Sequence, residues 1–408
     1  MTTLSSSDHV IVVGAGLAGW RFVEALRREG FDGAVTLVGD ETDPPYDRPP
    51  LSKNVLVGKW ELDKTVLASE ERIAAANVTM RLGVSATGLD VASTTVHLGD
   101  GSTIRGTHVV IATGTRARTL PFSAGDRVHT LRRFDDVRRL NADLATLDAG
   151  AVVVVIGGGF IGAEVATALH TRGFRPIVLE AAPRPLIGVL GDEVSSWLLR
   201  LPEDFGVELR VAQEIEDVKE SDGGLRVDFA SGVPLEAGAV VVGVGAVANV
   251  EWLADSGLRI DNGVVVDEHM VAAERVAAIG DVARFEWPSV TGSELVRIEH
   301  WEVANVQAST LARYWMSGEA ASALMVPYFW SDQYGKKIQL LGHPRAGDDV
   351  VRASGGDDEG KWLALYSRDG VVTGVVTLGN PRGLMLSKPL LESPTSLVEA
   401  LASSPWSS

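Results

Sequence analysis

Apolar residues in this chain gather in short β-branched runs, each followed by glycines and then by an amphipathic stretch. Val10-Ile-Val-Val13 leads into Gly14-Ala-Gly16-Leu-Ala18-Gly19, after which Trp20 to Arg28 reads as a helix. Ala34-Val-Thr-Leu-Val38 follows as a strand ending at Gly39-Asp40-Glu41. The same order returns at Val152 to Ile156, Gly157-Gly-Gly159-Phe160-Ile161-Gly162, a helix from Ala163 to Arg172 and a strand Pro176–Leu179 ending at Glu180. His108 to Ala112 reads as a buried strand closing on Thr113-Gly114, and Val194 to Arg200 as helical. A β-rich portion ends at Gly238 to Gly245, and short strands follow at Asn262–Val266 and Val276–Ile279, the latter running into Gly280-Asp281. Beyond Ser322 the character changes. Pro327–Trp330, Lys337–Leu341, Trp362–Tyr366 and Val371–Leu378 alternate with Gly and Asp clusters and predict an antiparallel sheet, with Ala402–Ser408 as a frayed tail. The pattern predicts an α/β chain of two Rossmann-like dinucleotide-binding domains and a C-terminal α+β domain.

Both glycine clusters fit the turn G-x-G-x-x-G. The first glycine permits the tight turn, the second lets a diphosphate approach the backbone, and the third packs helix on strand. The acid that takes up a ribose hydroxyl is expected about 20 residues later. Asp40 (with Glu41 beside it) and Glu180 stand there. One such turn is weak evidence; two complete units predict two dinucleotides, a flavin and a nicotinamide. Glu180 would accept from both ribose hydroxyls and repel a 2′-phosphate. Ala181-Ala182-Pro183 adds no cation before Arg184, so NADH is favoured over NADPH.

Composition narrows the chemistry. With 408 residues and 45% hydrophobic content, two or three domains can bury cores of their own. None of the residues is cysteine. Electrons therefore cannot enter a protein disulfide, form a sulfenic acid or reach a cluster ligated by this chain, which excludes disulfide reductases and cysteine-dependent flavin peroxidases. A formal charge of −17 argues against nucleic acid, whose phosphates call for clustered Lys and Arg. From Ala321 onward eight Lys/Arg meet nine Asp/Glu, so an acidic protein partner would meet less repulsion there. The polar Met1–His9 start and the lack of a long apolar run predict a soluble cytoplasmic protein without a membrane segment. The eight histidines show no metal-ligand spacing, and Asp348-Asp349 and Asp357-Asp358-Glu359 read as solvated loop acids, so no metal site is expected. G-x-S-x-G and P-loop signatures are missing.

The segment Gly39-Asp-Glu-Thr-Asp-Pro-Pro-Tyr46-Asp-Arg48-Pro49-Pro50-Leu-Ser-Lys53 resembles the flavin loop of bacterial NADH-dependent ferredoxin reductases. These are glutathione-reductase-like flavoproteins that serve ring-hydroxylating dioxygenases and cytochromes P450. The resemblance extends through Ala112-Thr113-Gly114, Gly157 to Glu164, Ile279-Gly280-Asp281, Val296 to Trp301 and Pro327-Tyr-Phe-Trp-Ser-Asp332, nearly the whole chain. It implies FAD on the first turn, NADH on the second and a C-terminal interface domain. The implied boundaries are 1–114 with 248–322 for FAD, 115–247 for NAD and 323–408 for the interface.

Carried over residue by residue, Gly14, Gly16, Ala18 and Gly19 would hold the FAD diphosphate, Asp40 the adenosine ribose and Val84 the adenine. Arg48 and Lys53 would lie near the phosphates and flavin, with Thr113, Gly114 and Arg132 also on the flavin nucleotide. Gly280 and Asp281 would hold the ribityl chain and Trp301 would cover the isoalloxazine. Gly157, Gly159, Phe160, Ile161, Gly162, Glu180 and Gly245 would receive NADH, with Phe160 gating the flavin face. Lys53 and Glu164 would stand closest to hydride transfer as catalytic residues.

The implied activity passes electrons from NADH one at a time to a [2Fe–2S] ferredoxin that serves a P450 or dioxygenase, from a monomer or weak homodimer. The residues leave rivals open: a rubredoxin reductase, a cysteine-independent NADH oxidase, or a flavoprotein of the apoptosis-inducing-factor type whose NADH-dependent state controls association. A quinone-reducing NADH dehydrogenase would want an amphipathic membrane-docking C-terminus, which Gly355–Gly360 and the Ser-rich tail do not offer.

Overall fold

The computed structural model describes residues 3–122, 124, 127–289, 292–319, 325–356 and 360–407. The expected boundary between residues 322 and 323, and the acids Asp357, Asp358 and Glu359, lie outside them. Contacts divide the chain into two compact units. One takes Met1–Asp47, Thr65–Arg116 and Val247–Met325; the other takes Arg48–Lys64, Ala117–Ala246 and Val326–Ser408. Among the described residues no helix is long and apolar enough to cross a membrane.

The first unit is built on a six-stranded sheet, ordered Val271–Ala273, Val276–Ala278, His108–Ile111, His9–Val13, Ala34–Val38 and Thr79–Arg81. All neighbours are parallel except the first pair. His9–Val13 pairs in register with Ala34–Val38 and is buried from Val10 to Val13, as expected of a β-branched run covered on both faces. The helix Leu17–Arg28 follows the first glycine turn and shares its core with a second helix, Trp301–Ser317. Phe22 and Trp315 meet edge to face at 5.7 Å.

The second unit repeats the plan. Glu208–Arg210, Arg175–Leu179, Val152–Ile156, Ala239–Val242 and Val128–His129 form a five-stranded parallel sheet in that order. The helix Phe160–Thr171 follows the second glycine turn. The predicted C-terminal sheet is present and antiparallel, ordered Tyr328–Gln333, Lys336–Gly342, Val371–Leu378, Lys361–Arg368 and Asp349–Gly356. The helix Ile187–Leu198 packs Leu190, Val194 and Leu198 with Ile338, Leu340, Trp362 and Tyr366, and Tyr366 donates to the Leu190 carbonyl at 2.8 Å.

Two readings of the C-terminal region are corrected. Asp348 is buried: its carboxylate takes a two-pronged contact from Arg368 at 2.7 and 3.0 Å and the Thr373 hydroxyl at 2.7 Å. A charge read as solvated is thus neutralised by a guanidinium 20 residues away. The tail does not fray at Ala402. The helix Leu397–Ser403 is capped by Ser396, and the following turn seats Trp406 in a core with Leu384 and Ala400.

Three histidines, buried His108 and His129 and part-buried His343, matter for stability. Burial holds the imidazoles of His108, His129 and His343 below the ordinary histidine value, at His129 against an opposing bond from Asp143. Between the depressed folded values and the ordinary value near 6.5, the unfolded chain binds more protons. Their contribution is therefore complete above that range and is lost as pH falls through it, at about 1.4 kcal/mol per pH unit for each proton withheld. We expect a lower thermal midpoint at pH 5.5 than at pH 7.5, with a shallower slope in His129→Gln. A slope unaltered by that substitution would contradict the assignment.

Candidate functional site

The first glycine turn is dictated by packing at two of its three glycines. Gly14 has φ +121° and donates to the Val38 carbonyl at 2.8 Å; a Cβ there would stand 2.1 Å from the Ala112 carbonyl oxygen. A Cβ on Gly19 would stand 2.0 Å from the Gly14 carbonyl oxygen. Gly16 differs: among the described residues a Cβ there meets nothing within 4 Å. The protein itself does not require glycine at the second position, which leaves open backbone at the start of the Leu17 helix. No side chain caps that start. Uncapped N–H groups and the positive end of the helix dipole make an anion cradle.

Several other expected FAD residues in this unit follow the carboxyl ends of strands of the same sheet. Val84 donates its N–H to the Gly39 carbonyl at 3.0 Å, beside exposed Asp40. Gly280, with φ +74°, leaves only 2.7 Å between a Cβ of its own and the Cβ of Ala18 in the Leu17 helix. Asp281 accepts from Thr115 Oγ1 at 3.3 Å, and Trp301 donates Nε1–H to Asp47 at 2.7 Å. Thr113 and Gly114 are strapped by Asn249. Its side-chain amide donates to the Thr113 carbonyl at 2.8 Å, and its backbone carbonyl accepts from Thr113 Oγ1 at 2.8 Å. Asn249 escapes sequence reading because its partner lies 136 residues earlier.

In the second unit the logic repeats. A Cβ on Gly157 (φ +103°) would meet the Gly243 carbonyl oxygen at 2.5 Å, and one on Gly162 would meet the Gly157 carbonyl oxygen at 1.9 Å. Gly159 again finds open space, its nearest neighbour being Gly243 O at 3.9 Å. Glu180 accepts from the Gly158 N–H at 2.7 Å and the Ala182 N–H at 2.8 Å, so it braces the turn it follows. Arg184 pairs with Asp192. Gly245 (φ +100°) accepts the Arg118 N–H at 2.9 Å, and Ile161 is exposed in the first turn of the Phe160 helix.

The two expected catalytic residues meet here. Lys53 Nζ lies 2.7 Å from Glu164 Oε2, and Glu164 is 3% exposed. The segment reaches it because Leu51–Val55 forms a short π-helical turn in which Lys53 leaves helical geometry, at φ −120° and ψ −106°. Two further donors complete the carboxylate: Ser52 Oγ at 2.5 Å and Ser331 Oγ at 2.6 Å. Every oxygen is thus hydrogen-bonded, as a buried carboxylate requires. Arg48 and Arg132 also meet, the Arg48 guanidinium donating to the Arg132 carbonyl at 2.7 Å.

Ser331 arrives through a match of spacings. Phe329 and Ser331 are two residues apart on strand Tyr328–Gln333, a rise of about 6.6 Å. Phe160 and Glu164 are one turn apart on their helix, about 6 Å. Phe329 packs on Phe160 with ring centroids 4.4 Å apart while Ser331 reaches Glu164. Ser52 and Ser331 sit 112 and 167 residues from Glu164; the only sequence signal is their place inside the two distinctive Pro-rich and aromatic blocks.

The family described as pyridine nucleotide-disulphide oxidoreductase matches residues 8–308, and the reductase C-terminal family matches residues 328–406. Rhodocoxin reductase of Rhodococcus erythropolis is 35% identical over 94% of this chain and 89% of its own length. The ferredoxin reductase component of chlorobenzene dioxygenase from Cupriavidus sp. (strain PS12) is 37% identical over 95% of this chain and 93% of its own. Among solved structures, the covalent putidaredoxin reductase–putidaredoxin complex superposes with a TM-score of 0.88 at 31% identity, covering 95% of this chain and 93% of that one.

Proposed function

This chain belongs to the pyridine nucleotide-disulphide oxidoreductase family, whose members bind a flavin and a nicotinamide dinucleotide, and we propose that it is an NADH:ferredoxin oxidoreductase. In this reading FAD occupies the first glycine turn and NADH the second, and a [2Fe–2S] ferredoxin serving a cytochrome P450 or ring-hydroxylating dioxygenase receives the electrons in the cytoplasm. The reading rests on both second glycines, Gly16 and Gly159, standing free of the protein's own packing while their neighbours do not. A bound flavin supplies the step between two-electron and one-electron chemistry. Relatives that dock a ferredoxin or serve a dioxygenase point to the same acceptor. With no cysteine in the chain, the electrons have no protein dithiol to enter.

The residues divide the work. The Leu17 and Phe160 helix starts bind diphosphates through backbone N–H groups. Asp40 and Glu180 accept ribose hydroxyls, and Asp281 orients the ribityl chain. Lys53 holds the charge of Glu164 beside the site where nicotinamide would lie. We assign residues 1–114 and 248–322 to FAD, 115–247 to NADH and 323–408 to the carrier.

Purified protein should be yellow, release FAD on denaturation and bleach with NADH under anaerobic conditions. A colourless protein that takes up no FAD would overturn the reading. Nicotinamide choice is tested at Glu180. Glu180→Ala removes a carboxylate acceptor and two N–H anchors, and hydrogen bonds to charged groups contribute about 1.5–3 kcal/mol. We expect the KM for NADH to rise about tenfold or more and the preference over NADPH to narrow. An unchanged ratio would reject the role.

A further inference from the structure

We propose that Ser331 is a positioning residue for flavin reduction: by holding Glu164 it keeps the Lys53 ammonium in place. The inference rests on the reading that NADH reduces a flavin in this protein. Ser331 is completely buried on the strand Tyr328–Gln333, opposite Ile338 of the neighbouring strand, which is part of the core. The strand is tied to the Phe160–Thr171 helix at two further points. Phe329 packs on Phe160 with ring centroids 4.4 Å apart, and the Tyr334 N–H, just past the strand's end, donates to Thr167 Oγ1 at 2.8 Å. The hydroxyl is therefore presented to Glu164 from a fixed backbone.

The direction of each hydrogen bond follows from the donor count. A serine hydroxyl has one hydrogen. Glu164 Oε1 lies 2.6 Å from Ser331 Oγ and Gln333 Nε2 lies 3.3 Å from it, so the hydrogen goes to the carboxylate and the Gln333 amide donates to the hydroxyl oxygen. Glu164 Oε2 takes two donors, Ser52 Oγ at 2.5 Å and Lys53 Nζ at 2.7 Å. Among the described residues Ser331 is the one donor to Oε1.

Lys53 is the partner free to shift. Its ammonium has three N–H donors, and its described acceptors, Glu164 Oε2 and the Pro49 carbonyl at 3.2 Å, use two. Its side chain is 18% exposed, against 3% for Glu164. A buried carboxylate oxygen without a donor is costly. Loss of the Ser331 hydroxyl therefore draws the spare N–H of Lys53 onto Oε1, and the cation turns inward from its exposed side. In the proposed reading that side meets a cofactor, and a cation serves charge development best when its place is set beforehand. Ser331 supplies the donor that Lys53 would otherwise have to give.

Threonine and valine have nearly the same shape and differ in the hydroxyl, so the cost of added bulk at 331 is common to both. Anaerobic stopped-flow reduction of the FAD-loaded full chain by NADH gives the limiting rate and the NADH dissociation constant. We expect Ser331→Thr to stay within about threefold of the wild-type limiting rate, and Ser331→Val and Ser331→Ala to fall about tenfold or more below it. NADH dissociation constants should stay within about twofold, because the nicotinamide site itself is untouched. Adding Ser331→Ala to Lys53→Met/Glu164→Leu should slow reduction no further, since Ser331 acts only through that pair. Equal rates in Ser331→Thr and Ser331→Val would overturn the proposal, as the mark of a packing role. So would a wild-type rate in Ser331→Ala, which keeps the test decisive if the valine variant does not fold. If NADH left the wild-type flavin oxidised, the proposed function would fail instead, and the two failures are distinguishable.

Discussion

Lys53→Met is expected to lower the thermal midpoint of the protein by about 6–12 °C and to slow flavin reduction by NADH by about tenfold or more. Glu164 would keep two serine hydroxyls but no cation. Breaking a buried ion pair from one side costs about 3–5 kcal/mol. Lys53 retains 18% of its side-chain exposure, which places the cost near 3 kcal/mol. For a unit of this size each kcal/mol moves the midpoint by about 2–4 °C. The companion variant Lys53→Met/Glu164→Leu separates stability from chemistry. Replacing both charges with apolar groups is often neutral or stabilising, so the midpoint should recover while the rate does not. Calorimetry and stopped-flow reduction check the two halves. An unshifted midpoint in Lys53→Met would show that the pair does not carry the burial of Glu164.

Gly14→Ala and Gly16→Ala should part company completely. Alanine at 14 would place Cβ against a backbone carbonyl at 2.1 Å, at a φ of +121° that L-residues rarely adopt. Backbone cannot swing aside as a side chain can, and we expect a loss above about 4 kcal/mol, little folded protein and no flavin. Alanine at 16 meets nothing within 4 Å among the described residues. Gly16→Ala should fold with a near-normal circular dichroism spectrum and melting curve in the absence of flavin, yet bind FAD about tenfold or more weakly, since in the proposed reading the methyl takes the space assigned to the diphosphate. Tight FAD binding by Gly16→Ala would contradict the cradle.

Much of this architecture is legible because its signals are local. The strand Ala34–Val38 is read to the residue from a β-branched run bounded by Gly33 and by Gly39-Asp40. Both glycine turns carry their geometry in composition alone. The helix Trp301–Ser317 is not legible: no side chain caps its start, and buried Gln307 and Thr310 interrupt its apolar stripe. Lys53 and Glu164 come from motif resemblance, whereas Ser52 and Ser331, which complete the carboxylate, depend on pairings 112 and 167 residues apart. Asp348 shows the limit most plainly. Acids between glycines resemble a solvated loop until the fold brings Arg368 and Thr373 to them. Local patterns set elements; long-range hydrogen bonds decide which polar residues are buried.

The most direct measurement is NADH-driven cytochrome c reduction by the FAD-loaded protein, alone and with a panel of [2Fe–2S] ferredoxins and a rubredoxin. Strong stimulation by a [2Fe–2S] ferredoxin, beyond that given by rubredoxin, is the predicted result. Brisk NADH oxidation that no ferredoxin stimulates would contradict it, and would point to oxygen or another direct acceptor.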